Sequence, residues 1–213
     1  MSDINSLLKL YAERKIIIRQ RLEHFSSVID RSDDELFAEF VFCLLTPQSK
    51  AKVCDVVVRK LFESGMIFKG DVKQIEQYLS GVRFPENKAR YLVEAREKFM
   101  KNSNFLVKSQ LKTFSTQKQA RDWLVKNVKG YGYKEASHFL RNIGMGYELS
   151  ILDKHILKNL HEFGVINELP QSLTPKKYFE IEDKMEEFAK NIGIPFAELD
   201  LLLWSKETGE VFK

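Results

Sequence analysis

Val128-Lys129-Gly130-Tyr131-Gly132-Tyr133-Lys134 is the stretch on which the reading of this chain turns. Two glycines one residue apart, set between stretches of helical periodicity, specify a tight turn with backbone dihedrals that other residues resist. Upstream, Thr116 caps a helix running through Trp123 toward Val128; downstream, a helix covers 133–142. A helix, a Gly-x-Gly hairpin and a second helix, over about 118–144, bring several backbone N–H groups toward the positive end of the second helix's dipole. Phosphate is the natural guest of such a site, and Lys126, Lys129 and Lys134 surround it. Taken alone, the glycine pair favours the plainer reading of a sharp turn between packed helices.

What lies downstream changes that balance. Lys134 is followed nineteen residues later by Asp153, in Ile151-Leu152-Asp153-Lys154-His155-Ile156-Leu157, where the aspartate is placed to cap the next helix, 154–162. Further out, apolar spacings predict an amphipathic helix over 4–25. Ser32 and Glu35 form a capping box ahead of a buried helix over 36–45 that ends at Thr46-Pro47. A helix over 49–62 stops at Gly65, Asp71 caps a short helix ending near Leu79, and Pro85 opens a helix through Phe99. The stretch 101–113 reads as a polar connection. Thr174-Pro175 opens a long helix to Asn191 closed by Gly193, and a last helix runs from Pro195 to about Lys206. With no convincing strand pair and no internal repeat, the fold class is all-α, as one compact unit or two tightly joined helical lobes sharing a cleft, and 1–213 reads as a single unit.

Gly130 through Asn142, together with Leu152 through Ile156, resembles the catalytic core of the helix-hairpin-helix DNA glycosylases, and more closely the 8-oxoguanine DNA glycosylase/AP lyases of the second, mainly prokaryotic type. Leu44-Leu45-Thr46-Pro47-Gln48-Ser49-Lys50-Ala51 is similar to that family's helix-ending segment, whose glutamine fills the gap left by an extruded nucleotide. Trp204 and the final Lys213 match the family's nearby tryptophan and terminal lysine. The resemblance spans most of the chain.

It implies an enzyme that flips 8-oxoguanine out of double-stranded DNA, excises it through a lysine Schiff base and nicks the strand by β-elimination. Lys134 is the implied nucleophile; a helix N-terminus, with Lys129 near, disfavours an ammonium there. Asp153 is the implied carboxylate that stabilises the sugar's developing charge. Gln48 is the implied wedge, with Lys129, Gly130 and Gly132 on the DNA backbone. For base recognition the candidates are Trp204, read from its neighbours Leu201 to Leu203 as core, Lys213, read alone as a frayed tail, and Phe84, read alone as a core aromatic. His138 and His155 read as structural or phosphate-facing.

Composition sets the limits. The excess of 34 basic over 30 acidic residues, a net charge of +4, permits an anionic partner without requiring one. Cys43 and Cys54 read as buried free thiols and are too few for the four-cysteine iron–sulfur cluster of some wider relatives. No cofactor is required on this reading, and the resemblance allows a monovalent cation at the hairpin. The lack of an apolar leader or spanning segment points to an intracellular, cytoplasmic or nucleoid protein with no membrane attachment, by default a monomer. Two rival functions stay open: a non-catalytic helix-hairpin-helix DNA-binding module, and a glycosylase that removes alkylated bases with water and Asp153 alone.

Overall fold

The computed structural model describes residues 3–101 and 104–213; positions 102–103, inside the predicted polar connection, lie outside the described residues. Within the described residues the chain runs α1 (Ile4–Val28), α2 (Asp33–Leu45), α3 (Ala51–Glu63), α4 (Met66–Lys69), α5 (Val72–Tyr78), α6 (Pro85–Phe99), β1 (Met100–Lys101), β2 (Asn104–Phe105), α7 (Val107–Leu111), α8 (Gln117–Asn127), α9 (Tyr133–Asn142), α10 (Lys154–Glu162), α11 (Pro175–Ile192) and α12 (Phe196–Thr208). No helix among the described residues is long and apolar enough to cross a membrane.

Local signals act where they are written. Ser32 Oγ accepts the Glu35 N–H at 3.2 Å while the Glu35 carboxylate accepts the Ser32 N–H at 3.1 Å, closing the capping box that starts α2. Asp71 and Gln74 do the same for α5, and Thr116 and Thr174 cap α8 and α11. Each cap is worth about 1 kcal/mol, enough to fix a boundary but not a fold.

The fold comes from two apolar cores. The larger surrounds α2, whose Leu36, Phe37 and run from Phe40 to Leu45 are buried against α3, α6, α8 and α9. Burying one such side chain contributes about 1.5–3 kcal/mol, and aromatic geometry adds to it. Phe40 stacks on Tyr131 at 4.6 Å and meets Phe139 edge-on at 5.5 Å. The second core joins Leu7, Ile18 and Phe25 of α1 to α10, α11 and α12. Buried ion pairs tie the lobes together: Arg121 of α8 to Glu182 of α11 at 2.6 and 2.9 Å, and Arg141 of α9 to Asp200 of α12 at 3.2 Å.

Three local expectations are corrected. The predicted polar connection holds a minimal antiparallel strand pair, β1 with β2, and the short helix α7. Phe105 stacks on Phe37 at 4.3 Å, and Val107 and Leu111 are buried, so tertiary packing orders a segment too short for periodicity to register. The α7 N-terminus is satisfied from far away, by Asp33 Oδ1 accepting the Lys108 N–H at 2.7 Å. Gly65 ends α3 as expected, but where no further helix was expected the chain turns there in the left-handed region and re-enters helix at once in α4. Ser49, expected to begin a helix, lies before it, because α3 starts at Ala51.

Candidate active site

The hairpin between α8 and α9 is shaped by one glycine, not two. Gly130 has φ +84°, and a Cβ there would lie 2.6 Å from Tyr91 Cδ2 and 3.1 Å from Leu44 Cδ1. Gly132, at φ −103° and ψ −175°, is extended backbone open to any residue, which corrects the expectation that both glycines hold restricted dihedrals. The Gly132 N–H donates to Glu135 Oε2 at 3.1 Å, so a carboxylate of the chain already takes one donor expected for phosphate. Between the glycines, buried Tyr131 donates its hydroxyl to the Phe40 carbonyl at 2.7 Å and anchors the turn in the larger core. Gly130→Ala is therefore expected to cost about 1–3 kcal/mol and Gly132→Ala less than about 1 kcal/mol, compared by thermal unfolding.

The expected cluster of three lysines is divided. Lys129 pairs with Glu94 at 3.2 Å, and Lys126, Lys129 and Lys98 line a groove along the hairpin with Gly130. Lys134 instead enters a separate cavity of about 770 Å³ between the lobes, within the range of ligand pockets. Its walls come from Thr46 and Gln48, from Lys134, His138 and Arg141 of α9, from Asp153 and His155, from Asp200 and Trp204 of α12, and from Phe212 and Lys213.

Lys134 is the second residue of α9, and its side chain is only 21% exposed. Its ammonium donates to Thr46 Oγ1 at 3.3 Å and lies 3.7 Å from Glu135 Oε1; Thr46 Oγ1 itself donates to the Cys43 carbonyl at 2.9 Å. Asp153 caps α10 with one oxygen: Oδ1 accepts the His155 and Ile156 N–H groups at 2.8 and 2.9 Å. Oδ2 accepts no hydrogen bond among the described residues, so capping leaves it available. The segment leading to Asp153 is held from below. Ser150 gives its N–H and hydroxyl to Glu182 Oε2 at 2.7 and 2.9 Å, and Tyr178 donates its hydroxyl to the Ser150 carbonyl at 2.7 Å.

The other candidates separate clearly. Gln48 is exposed, with φ +55°, at the cavity's edge. Trp204 is half-buried on the cavity wall beside Phe212, ring centroids 6.5 Å apart, and so is not a core residue. The Lys213 ammonium is 3.0 Å from both Glu39 and Asp55 and 4.3 Å above the Phe42 ring. Burial pulls its pKa down, but the two carboxylates more than offset that and raise it, so this ammonium is held as a charge between them. Phe84, read alone as a core aromatic, is instead 49% exposed, and it is not among the cavity-lining residues. It precedes α6 with φ +57°, beneath the Arg83 guanidinium at 5.4 Å. Cys43 and Cys54 are buried free thiols, as expected.

The sequence reading gave no site role to Thr46, His138, Arg141 or Asp200. His138 is buried in the cavity wall, edge-on to Phe42 at 5.6 Å; the Lys213 main chain approaches its ring without a well-formed hydrogen bond, and no other partner meets either nitrogen among the described residues. Burial first, then the charges of Lys134, Arg141 and Lys213, hold its pKa well below the ordinary value and keep the ring neutral. The structural reading of His138 is borne out by its burial in the cavity wall, and the His155 N–H serves the Asp153 cap. A signal existed: 134, 138 and 141 share one face of a helix at i, i+4 and i+7.

A family described as 8-oxoguanine DNA glycosylase matches residues 18–194 of the chain. A protein of Fusobacterium nucleatum named 8-oxoguanine DNA glycosylase/AP lyase is 44% identical over 210 residues, covering 98% of this chain and 97% of that protein. One of the same name from Korarchaeum cryptofilum is 40% identical, covering 99% and 97%. The crystal structure of the Methanocaldococcus jannaschii 8-oxoguanine glycosylase/lyase in complex with a 15mer DNA containing 8-oxoguanine superposes with a TM-score of 0.89 at 35% identity, covering 99% of each chain.

Proposed function

Because the chain belongs to the 8-oxoguanine DNA glycosylase family, we propose that it excises 8-oxoguanine from duplex DNA and nicks the strand, with Lys134 as nucleophile and Asp153 as its carboxylate partner. A base inside a duplex must first be turned out of the stack, at about a few kcal/mol. Gln48, exposed at the cavity's edge with an amide that donates and accepts, fills the gap. Phe84, left on the surface in the same strained backbone conformation, belongs with Gln48 on the duplex-facing rim rather than in the base pocket.

Lys134 attacks the sugar C1′ as a neutral amine while the bond to the base breaks, and the base leaves with the bonding electrons. The adduct opens to an imine, and loss of a C2′ proton expels the 3′ phosphate. Thr46 steers the amine, and Asp153 Oδ2, on a carboxylate fixed through Oδ1, faces the charge that develops on the sugar. Trp204 stacks on the extruded base. His138, neutral on the cavity wall, offers one donor and one acceptor to its edge, and Lys213 contributes through its main chain. The monovalent cation that the resemblance allows at the hairpin would be held by backbone carbonyls there, with no side chain set aside for it. No step is routed through a metal.

The observation that carries this reading is a lysine amine held inside a cavity that Asp153 also lines. A module that only grips DNA needs neither group, and a water-using glycosylase needs no such lysine. A labelled duplex with one 8-oxoguanine tests it: base release followed by a nick is expected, with a guanine duplex left intact. Release without any nick would favour water as nucleophile, and binding without release would favour the module. Asp153→Asn retains a capping oxygen but no charge; about 10²–10³-fold slower excision is expected, with thermal unfolding close to that of the parent protein.

A further inference from the structure

Lys88 of α6 is 4% exposed, an uncommon place for an ammonium. It donates to the Leu45 carbonyl at 2.7 Å, the Pro47 carbonyl at 2.7 Å and Ser49 Oγ at 3.1 Å. The carbonyls lie at the C-terminal end of α2 and just beyond it, where helix carbonyls lack intrahelical partners and the dipole favours a cation. Ser49 Oγ also accepts the Arg83 N–H at 3.0 Å. One ammonium therefore joins segment 45–49 to the segment leading into α6.

These two segments carry the two non-glycine residues with positive φ among the described residues, Gln48 at +55° and Phe84 at +57°, both exposed. Such conformations persist only where the surroundings over-determine them. Nothing else in the site needs this arrangement: Thr46, which meets Lys134, is held separately by the Cys43 carbonyl. We propose that Lys88 is a positioning residue, a clasp that holds Gln48 and Phe84 in the left-handed backbone geometry with which they meet the duplex around the extruded nucleotide. This rests on the reading that the cavity receives a flipped base. Burial lowers the Lys88 pKa to about 8, with Cys54 and Glu135 opposing that shift and the charge of Lys134 adding to it.

The test uses duplexes in which 2-aminopurine next to 8-oxoguanine brightens on unstacking, alongside a single strand with an abasic site, which needs no opening. Lys88→Met keeps the length and removes the donors. It is expected to lose the fluorescence rise and about tenfold or more in duplex excision, the scale of one charged hydrogen bond, while single-strand cleavage changes far less. Lys88→Gln, which keeps two donors, should fall between. Ser49→Ala cuts the link without emptying the buried site and should lose about threefold, which keeps the proposal testable if Lys88→Met does not fold. A normal fluorescence rise and normal excision in these variants would overturn the clasp, as would equal losses on both substrates. Parent protein that cleaves neither substrate would overturn the proposed function, and the clasp with it.

Discussion

Lys134→Gln is expected to lower 8-oxoguanine excision by about 10⁴-fold or more while leaving duplex binding within a few-fold, because a nucleophile and its covalent intermediate have no substitute in the cavity. The split between turnover and binding is what distinguishes chemistry from grip. A phosphate-contacting lysine would weaken binding and lower its salt slope by about one. Lys134 meets Thr46 and Glu135 inside the cavity, whereas the lysines placed for backbone contact, Lys126 and Lys129, line the separate hairpin groove. Excision kinetics and a salt titration on both proteins check it. Parallel losses in binding and turnover would reassign Lys134 to the DNA backbone.

The largest effect on stability is expected from Arg121→Met. Arg121 is 1% exposed, bonded twice to Glu182, and lies among the rings of Tyr133, Tyr178 and Phe179 at 5.2–5.8 Å. Removing one partner of a buried pair leaves an uncompensated charge and costs about 3–5 kcal/mol. At this chain length each kcal/mol lowers Tm by about 2–4 °C. Glu182 also holds Ser150, three residues before Asp153, so the variant is expected to lose excision at temperatures where it is still folded. Adding Glu182→Leu should recover part of the stability by removing the stranded carboxylate, though not all, because the Ser150 N–H then has no partner. A Tm within a degree or two of the parent protein would show that the pair contributes little across the lobe junction.

The parts of this fold legible in the sequence are those whose cause is local. Ser32 with Glu35, Asp71 with Gln74, Thr116, Thr174-Pro175 and Asp153 each mark a helix start through atoms within three residues, and each helix begins there. The segment around α7 was not legible, because its order comes from Phe37 and its cap from Asp33, both some seventy residues away. The same division runs through the site. Lys134, Asp153 and Gln48 were named because the motifs that carry them resemble those of a known family. Asp200 and Arg141 face the cavity because two lobes meet there, and Phe84 was read alone as core because residue type cannot tell an exposed, strained aromatic from a buried one. Lys213, read alone as a frayed tail, is held by Glu39 and Asp55, both distant in sequence.

The account stands on a covalent bond between Lys134 and the sugar, and borohydride reduction during turnover tests that directly. A duplex carrying one 8-oxoguanine, incubated with the protein and reduced, is expected to give a stable protein–DNA band in the parent protein and none in Lys134→Gln. A band of undiminished strength in Lys134→Gln would place the nucleophile elsewhere, and no band in a parent protein that still releases the base would contradict the imine mechanism.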